Sequence, residues 1–196
     1  MEEFYQPDAL REALIIAGLK EIEVHGLADF SLRRVASECG VSCAAPYRHF
    51  KGKSQLILAI IAYVNDQWSL LQRQISEMFK DDVRRCLVEM CVANIRFWTA
   101  NPHFRSILTM DSRELDGEQL FEKSRINETT EKLIAEFCRE AGLSEDEAKI
   151  KSIAIRAILY GTTHMLAGGE IENSPESIKI IRTLLEKELG GEDFKF

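Results

Sequence analysis

The sequence contains few prolines and glycines, no paired cysteine motif and no long apolar segment. Its 196 residues include only four prolines and eleven glycines, and no window is enriched in Gly, Ser or Pro as a flexible linker would be. The longest uninterrupted apolar run covers residues 56–64, which is well short of the about 20 residues that span a bilayer. The N-terminal segment is acidic, with no basic stretch ahead of an apolar run, so it does not read as a secretory signal. We therefore expect a cytoplasmic protein with no membrane partner.

Cysteine and histidine do not occur in the patterns that metal sites or catalysis require. The cysteines are odd in number and form no C-x-x-C pair, which argues against a disulfide framework and a structural zinc site. They are Cys39, Cys43, Cys86, Cys91 and Cys138. The four histidines are scattered, and the sequence has no Gly-rich phosphate loop, H-E-x-x-H or G-x-S-x-G motif. We expect reduced thiols, no metal site, no cofactor and no enzymatic activity.

Positive charge is concentrated in one segment of an acidic chain. The formal net charge is -7, yet residues 31–60 carry five basic residues against Glu38 alone, a local balance of +4 that leaves -11 for the rest. The basic residues are Arg33, Arg34, Arg48, Lys51 and Lys53. An acidic body with one basic face can target DNA without adhering to every polyanion.

Apolar residues recur at spacings of three and four along most of the chain, the pattern of amphipathic helices. In residues 8–25 this pattern ends at Gly26, a residue suited to a left-handed C-cap. No alternating stretch bounded by hairpin turns suggests a sheet, so we predict an all-α fold of about nine helices. From Lys53 onward the expected helices cover residues 53–79, 81–100, 103–109, 117–141, 145–167 and 175–189.

Two short helices joined by a glycine turn are predicted between residues 31 and 50. Ser31 is a good N-cap for the first of them, Gly40 ends it, and Ser42 is placed to cap the next helix almost at once. A small residue at Ala36 allows the two helices to cross closely, while Val41 and Phe50 can fill the core beneath them. This arrangement is a helix-turn-helix, which presents one helix rigidly to the major groove of DNA.

The stretch SLRRVASECGVSCAAPYRHFKGKSQLILAI, together with the helix before it, resembles the N-terminal DNA-binding signature of the TetR/AcrR family of transcriptional regulators. The likeness covers residues 8–60 and depends on the joint spacing of Ala36, Gly40, Val41, Tyr47, Phe50 and Lys53. It implies a three-helix DNA-binding domain over residues 1–52. A larger helical ligand-binding and dimerisation domain would then occupy residues 53–196.

The resemblance also implies which residues contact DNA. It makes Arg33 a contact to a base edge or phosphate, and it makes Cys43, Ala44, Ala45 and Tyr47 the outward face of the recognition helix. Tyr47, His49 and Lys53 match positions that contact the DNA backbone, and the two serine caps and the remaining arginines lie in the same segment. The full predicted set is Ser31, Arg33, Arg34, Ser42, Cys43, Ala44, Ala45, Tyr47, Arg48, His49 and Lys53. Because alanine offers no bidentate donor, readout would depend on thymine methyl groups, on Arg33 and on DNA shape.

Pro46 falls inside the predicted recognition helix, where the family usually has a larger aliphatic residue pointing inward. If Ser42 caps that helix, Pro46 is the first residue whose N–H would bond back, to the carbonyl of Ser42. We expect one hydrogen bond to be lost at the helix start. Our hypothesis is that Pro46 stiffens a helix that is too short to be stable alone.

Aromatic and sulfur side chains are frequent after residue 60, where they form a core by default and, by the resemblance, line part of a ligand cavity. The candidate ligand residues are Trp68, Phe97, Trp98, Phe104, Met110, Phe121, Tyr160 and His164. The implied partners are a double-stranded DNA operator, a second copy of the chain and an unidentified small-molecule effector. Residues 145–167 and 175–189 would pair with their twins as a four-helix bundle, giving a homodimeric, ligand-released repressor on a palindromic operator.

Two alternatives stay open at this point. Cys43 in the DNA-facing segment permits a thiol-sensing regulator in which oxidation blocks the groove. The other alternative is a helical interaction protein whose basic segment binds an acidic partner rather than DNA.

Overall fold

The computed structural model describes residues 7–190 and contains no β-strand within them. Eight α-helices follow one another: α1 (Pro7–His25), α2 (Leu32–Glu38), α3 (Lys53–Met78), α4 (Val83–Ala100), α5 (Arg105–Thr109), α6 (Gly117–Glu140), α7 (Glu145–Gly168) and α8 (Pro175–Glu188). Short 3₁₀ helices occur at Pro46–Arg48, Pro102–Phe104 and Ser112–Glu114. The all-α prediction is confirmed. The α-helix count in this range is eight instead of about nine because the expected recognition helix is a 3₁₀ turn.

The helix ends lie close to the predicted breaks because local side chains determine them. Ser144 and Glu147 form a reciprocal capping box at the start of α7. Ser174 caps α8 through the N–H of Ser177, with Pro175 in the first turn. Gly26 closes α1 with φ +70°, a left-handed conformation that favours glycine.

The chain divides into two compact units, and α3 and α6 each begin in the first and end in the second. The first unit runs from α1 to Gln67 and adds His103–Arg125. Its core packs α1 against α2 and against the N-terminal half of α3. A β-carbon at Gly18 of α1 would lie 2.6 Å from Cδ1 of Ile60, so the absence of a side chain there lets α3 approach closely. The expected functional domains, 1–52 and 53–196, stay a prediction.

The second unit comprises Trp68–Pro102 and the chain from Ile126 onward, and its core is formed by α4, α6, α7 and α8. Two ion pairs join these helices around the apolar centre. Arg182 of α8 binds Glu89 of α4 in bidentate fashion at 2.6 and 2.8 Å, and Lys151 of α7 binds Glu188 of α8 at 2.9 Å. No helix in residues 7–190 combines the length and apolar character needed to cross a membrane.

Candidate nucleic-acid interface

A buried carboxylate holds α2 against α1. Glu21 of α1 is only 8% exposed, and its Oε1 accepts the backbone N–H of Ser31 at 3.0 Å and Nε–H of Arg34 at 2.8 Å. The Arg34 guanidinium also donates to the carbonyl of Asp29. Ser31 caps α2 as predicted, through the N–H of Arg34. We call Glu21, Ser31 and Arg34 the α1–α2 clamp.

The electrostatics of Glu21 reflect two opposing effects. Burial raises the pKa of its carboxyl, but the hydrogen bond from Arg34, the Ser31 N–H and the guanidinium charge outweigh it and hold the pKa below its ordinary value. The carboxylate is therefore charged at neutral pH. Arg34, predicted as a DNA contact, pairs with Glu21 in this clamp while its side chain stays 47% exposed, and its DNA role stays a prediction.

The segment from Gly40 to Phe50 departs from the predicted helix. Gly40 makes the expected turn with φ +67°. The N–H of Ala45 then bonds to the carbonyl of Ser42 at 2.9 Å, and the N–H of Arg48 bonds to that of Ala45 at 3.1 Å. These are i→i+3 bonds, so the segment is a turn followed by the 3₁₀ helix Pro46–Arg48. The prediction that Ser42 caps an α-helix is wrong, since Ala45 occupies the N-cap position of this 3₁₀ helix and makes no side-chain cap.

Pro46 explains this local change. It is the first residue of the 3₁₀ helix, where its fixed φ suits the backbone, and its ring is buried. The carbonyl of Ser42, expected to lose its hydrogen bond, accepts one from Ala45 instead. The inward position of Pro46 agrees with the sequence interpretation. The Ser42 carbonyl therefore keeps a hydrogen bond, contrary to the prediction, because the backbone adopts the tighter i→i+3 pattern before the proline.

The solvent-facing surface of this segment combines two arginines with an aromatic ring. Tyr47 is 60% exposed, and Arg33 and Arg48 are exposed without an ion-pair partner in residues 7–190. Ser42, Cys43 and Ala44 are exposed as well, whereas Ser31, Ala45 and His49 are half-buried. We call Arg33, Ser42, Cys43, Ala44, Tyr47 and Arg48 the basic face. Phe50 at 2% exposure and Ala36 at 0% anchor it from below.

Lys53, at the start of α3, is engaged with the protein itself. Its ammonium donates to the carbonyls of Leu27 and Ala28 and lies 5.9 Å from the centre of the Phe30 ring. This interaction connects α3 to the loop between α1 and α2. An ammonium has three donors and two are used here, so the third can still reach a phosphate. The predicted phosphate role of Lys53 remains a prediction.

The candidate ligand residues do not form one cluster within either unit. In the second unit, Trp68 and Trp98 are buried and both contact the half-buried ring of Phe97, with ring centres 5.1 and 5.0 Å apart. Tyr160 and His164 instead lie exposed on α7. In the first unit, Met110 is buried, Phe104 is half-buried against Tyr63, and Phe121 is 69% exposed. Their ligand role stays a prediction.

Two polar residues of the second unit were not anticipated from the sequence. Gln72 and Thr130 are buried, yet the amide nitrogen of one and the hydroxyl of the other have no hydrogen-bond partner in the described chain. Each lies four residues after a buried residue of the same helix, Trp68 in α3 and Ile126 in α6, so the helical spacing in the sequence indicates their burial. Metal ligation is not indicated there, since residues 7–190 hold no group of three or more His, Cys, Asp or Glu arranged to bind an ion.

The residues of the basic face lie within a part of the chain that matches a known protein family. Residues 14–60 match the family model described as "Bacterial regulatory proteins, tetR family". The nucleoid occlusion factor SlmA of Shewanella baltica is 30% identical over 140 residues, which cover 69% of this chain and 68% of that protein. The SlmA of Aliivibrio fischeri is 30% identical over 128 residues, and the match spans 63% of both chains.

Solved structures share the fold at low sequence identity. A TetR family transcription regulator from Marinobacter aquaeolei superposes with a TM-score of 0.72 at 20% identity, covering 93% of this chain and 96% of that one. Bacillus subtilis FadR in complex with stearoyl-CoA gives a TM-score of 0.68 at 13% identity, covering 93% and 99%. At these identities the likeness establishes the fold alone.

Proposed function

This chain belongs to the TetR family of bacterial regulatory proteins and is a DNA-binding regulator, and we propose that it represses transcription from a palindromic operator, as a homodimer, until a small-molecule effector releases it. A regulator of this kind acts on the chromosome, so the proposal places it in the cytoplasm. The same family membership favours DNA over an acidic protein as the partner of the basic segment.

The observation that carries the proposal is the basic face on its rigid support. Arg33 and Arg48 are exposed and unpaired in the described chain, with Tyr47 between them in the sequence and exposed beside Arg48. Arginine suits both guanine edges and phosphates, and a tyrosine hydroxyl commonly bonds to phosphate. The α1–α2 clamp and the buried Phe50 hold this surface in place without occupying it.

An exposed apolar surface supports the homodimer. Ile153 of α7 and Ile180 of α8 are 68% and 63% exposed, and Ile150, Tyr160 and Leu184 are exposed on the same two helices. Apolar side chains clustered on a surface usually mark an interface. Pairing of α7 and α8 with their twins would cover them and set two basic faces about 34 Å or more apart, as a palindrome requires.

The proposed effector would act by favouring one of two arrangements of the dimer. A ligand shifts such an equilibrium only by its difference in affinity for the two states. The released state would hold the basic faces at a spacing that mismatches the operator, so that DNA and effector weaken each other's binding equally. The aromatic cluster of Trp68, Phe97 and Trp98 remains a proposed part of the effector cavity.

The test is to select fragments of the source genome on the purified protein at physiological salt and sequence those retained. We expect one or a few palindromic sites near promoters, and loss of this enrichment in a variant carrying Arg33→Ala and Arg48→Ala. A matched control variant, Lys132→Ala on the exposed surface of α6, should retain the wild-type sites. Enrichment of fragments without a shared palindrome, unaffected by the arginine changes, would refute the proposal.

A second candidate function is nucleoid occlusion, the role in the name of relatives at 30% identity. The same selection separates the two. Sites distributed over the chromosome without relation to promoters, and unchanged transcription when the gene is deleted, would favour the second candidate over the repressor.

A further inference from the structure

A polar stripe runs along the second half of α3. Ser69, Gln72, Arg73 and Ser76 are spaced at i, i+3, i+4 and i+7 and therefore share one face of the helix. They border a groove of about 560 Å³ within the second unit, whose other lining residues are Glu77 of α3 and Thr129 of α6. Each of the six lining side chains carries a polar group, unlike the phenyl ring in the aromatic cluster of Trp68, Phe97 and Trp98.

Two buried polar groups lack partners: Gln72 lines the groove, and Thr130 follows the lining residue Thr129. The amide nitrogen of Gln72, a residue 3% exposed, has no hydrogen-bond partner in the described chain, and neither does the hydroxyl of Thr130, a residue 4% exposed. The indole N–H of Trp68 donates to the carbonyl of Ile126 at 3.1 Å and fixes the register of α3 against α6. Gln72 and Thr130 each lie four residues beyond these two, on the next turn of the two neighbouring helices.

An unpaired amide in such a position is costly unless something binds it. Burying a polar group without a partner is unfavourable, and most buried polar atoms in folded proteins are bonded. An apolar residue at either position would pack without this penalty. An acceptor oxygen bound in the groove would pair with the amide of Gln72, which lines it.

The charge of the groove indicates which kind of acceptor fits. Arg73 is exposed and has no ion-pair partner in residues 7–190. The neighbouring carboxylate of Glu77 is paired with Lys80 at 3.0 Å, and the Ser76 hydroxyl bonds to the thiol of Cys86. The uncommitted groups are thus one guanidinium and several neutral donors, which suit a carboxylate.

We propose that the Gln72 groove is a binding site for a small polar carboxylate, with Arg73 pairing with a carboxylate and the Gln72 amide donating to one of its oxygens. A ligand with two or three carboxylates suits the size and the polar lining of the groove. The claim that the groove is an effector site rests on the proposed function. The claim that the groove binds a carboxylate does not, because binding is measured without DNA.

The experiment titrates the whole protein with succinate and citrate by isothermal calorimetry, with succinamide as the neutral control. We expect a carboxylate to bind in the micromolar to millimolar range, and Gln72→Leu and Arg73→Gln each to weaken it by about tenfold or more. The matched controls Gln74→Leu and Arg139→Gln, exposed positions on α3 and α6 that do not line the groove, should stay within about twofold of wild type.

A second readout uses thermal unfolding without ligand. Gln72→Leu should raise the midpoint because it removes an unpaired buried amide, while Gln74→Leu should not. Failure of both carboxylates to bind wild type would overturn the proposal, as would equal binding of succinamide or unchanged binding in both groove variants. A lower midpoint for Gln72→Leu would also count against it, since the amide would then be paired within the protein. Operator binding is measured on the same preparations, so that a failure to bind carboxylates can be told apart from a failure of the proposed regulator function.

Discussion

Replacing the neighbouring residues Arg33 and Arg34 of α2 by alanine should affect two different properties of the protein. Arg34→Ala removes the guanidinium of the α1–α2 clamp and leaves the buried carboxylate of Glu21 with the Ser31 N–H at 3.0 Å. Arg33→Ala removes an exposed side chain that has no ion-pair partner in the described chain. We expect the first change to reduce stability and the second to reduce DNA affinity.

The magnitude follows from the contacts. A hydrogen bond to a charged group contributes about 1.5–3 kcal/mol, and Arg34 makes such bonds to Glu21 from both Nε and Nη2. The Arg34 side chain is 47% exposed, so solvent screens part of this interaction. We therefore expect Arg34→Ala to lower the free energy of unfolding by about 1–2 kcal/mol. Arg33→Ala should change it by less than about 0.5 kcal/mol, as exposed substitutions usually do.

The pH dependence supplies an independent check. The folded-state pKa of Glu21 is held below its ordinary value of 4.5, so the clamp contributes fully above that value and its contribution is lost as the pH falls through the folded-state pKa. In Arg34→Ala the Ser31 N–H still bonds to the carboxylate, but the guanidinium no longer opposes the effect of burial, so the pKa of Glu21 rises relative to wild type. The stability difference between wild type and this variant should be full at neutral pH and shrink as the medium becomes more acidic than pH 4.5.

Urea unfolding followed by circular dichroism measures the stabilities, and fluorescence anisotropy with an operator duplex measures DNA affinity below the unfolding temperature. Arg33→Ala should weaken operator binding by about 1–3 kcal/mol, the contribution of a base contact. Wild-type stability in Arg34→Ala, combined with a loss of DNA affinity equal to that of Arg33→Ala, would refute the clamp. Arg34 would then be the DNA contact that the sequence predicted.

Three further changes test the interface and the dimer. Pro46→Leu should leave operator affinity equal or lower and cost about 0.4–1 kcal/mol of stability, because proline restricts the unfolded chain; a clear gain in affinity would contradict the stiffening role. Lys53→Ala should lower the thermal midpoint through the lost Leu27 contact and reduce the slope of log affinity against log salt by about 1. An unchanged slope would contradict the phosphate contact and leave Lys53 with a structural role only. Ile153→Glu should convert the dimer to folded monomer in sedimentation velocity, whereas Val24→Glu, an equally exposed change at 70% exposure, should not; a dimer that survives Ile153→Glu would place the interface elsewhere.

Helix existence and helix ends were predictable because they depend on local chemistry. The capping box of Ser144 and Glu147 and the left-handed turns at Gly26 and Gly40 each involve residues within a few positions of one another. The form of the recognition segment was not predictable to the same degree. The sequence shows that Pro46 conflicts with an α-helix, but the choice between a helix that lacks one hydrogen bond and a tighter 3₁₀ turn depends on the i→i+3 bonding of its neighbours.

Ligand residues were harder to predict because α7 has apolar side chains on two of its faces. Ile155 and Leu159 are buried in the core of the second unit, while Ile153 and Tyr160 are exposed. Composition alone does not tell which face turns inward. Tyr160 and His164 lie exposed on α7, so their predicted ligand role would place the ligand at the surface of this helix.

The α1–α2 clamp has a counterpart in the sequence. Glu21 lies three residues after Gly18 and seven after Leu14, on the apolar face of α1, where a carboxylate requires a cationic partner. Glu21 therefore needs a cation from a neighbouring segment, and in the structure that cation is Arg34. Arg34 pairs with Glu21, and Lys20 of α1 pairs with Glu38 at 3.6 Å. The cations of the basic segment that have no carboxylate partner in residues 7–190 are Arg33, Arg48, Lys51 and Lys53. We therefore expect these four cations, and not Arg34, to face the DNA phosphates, which the Arg33→Ala and Arg34→Ala variants test.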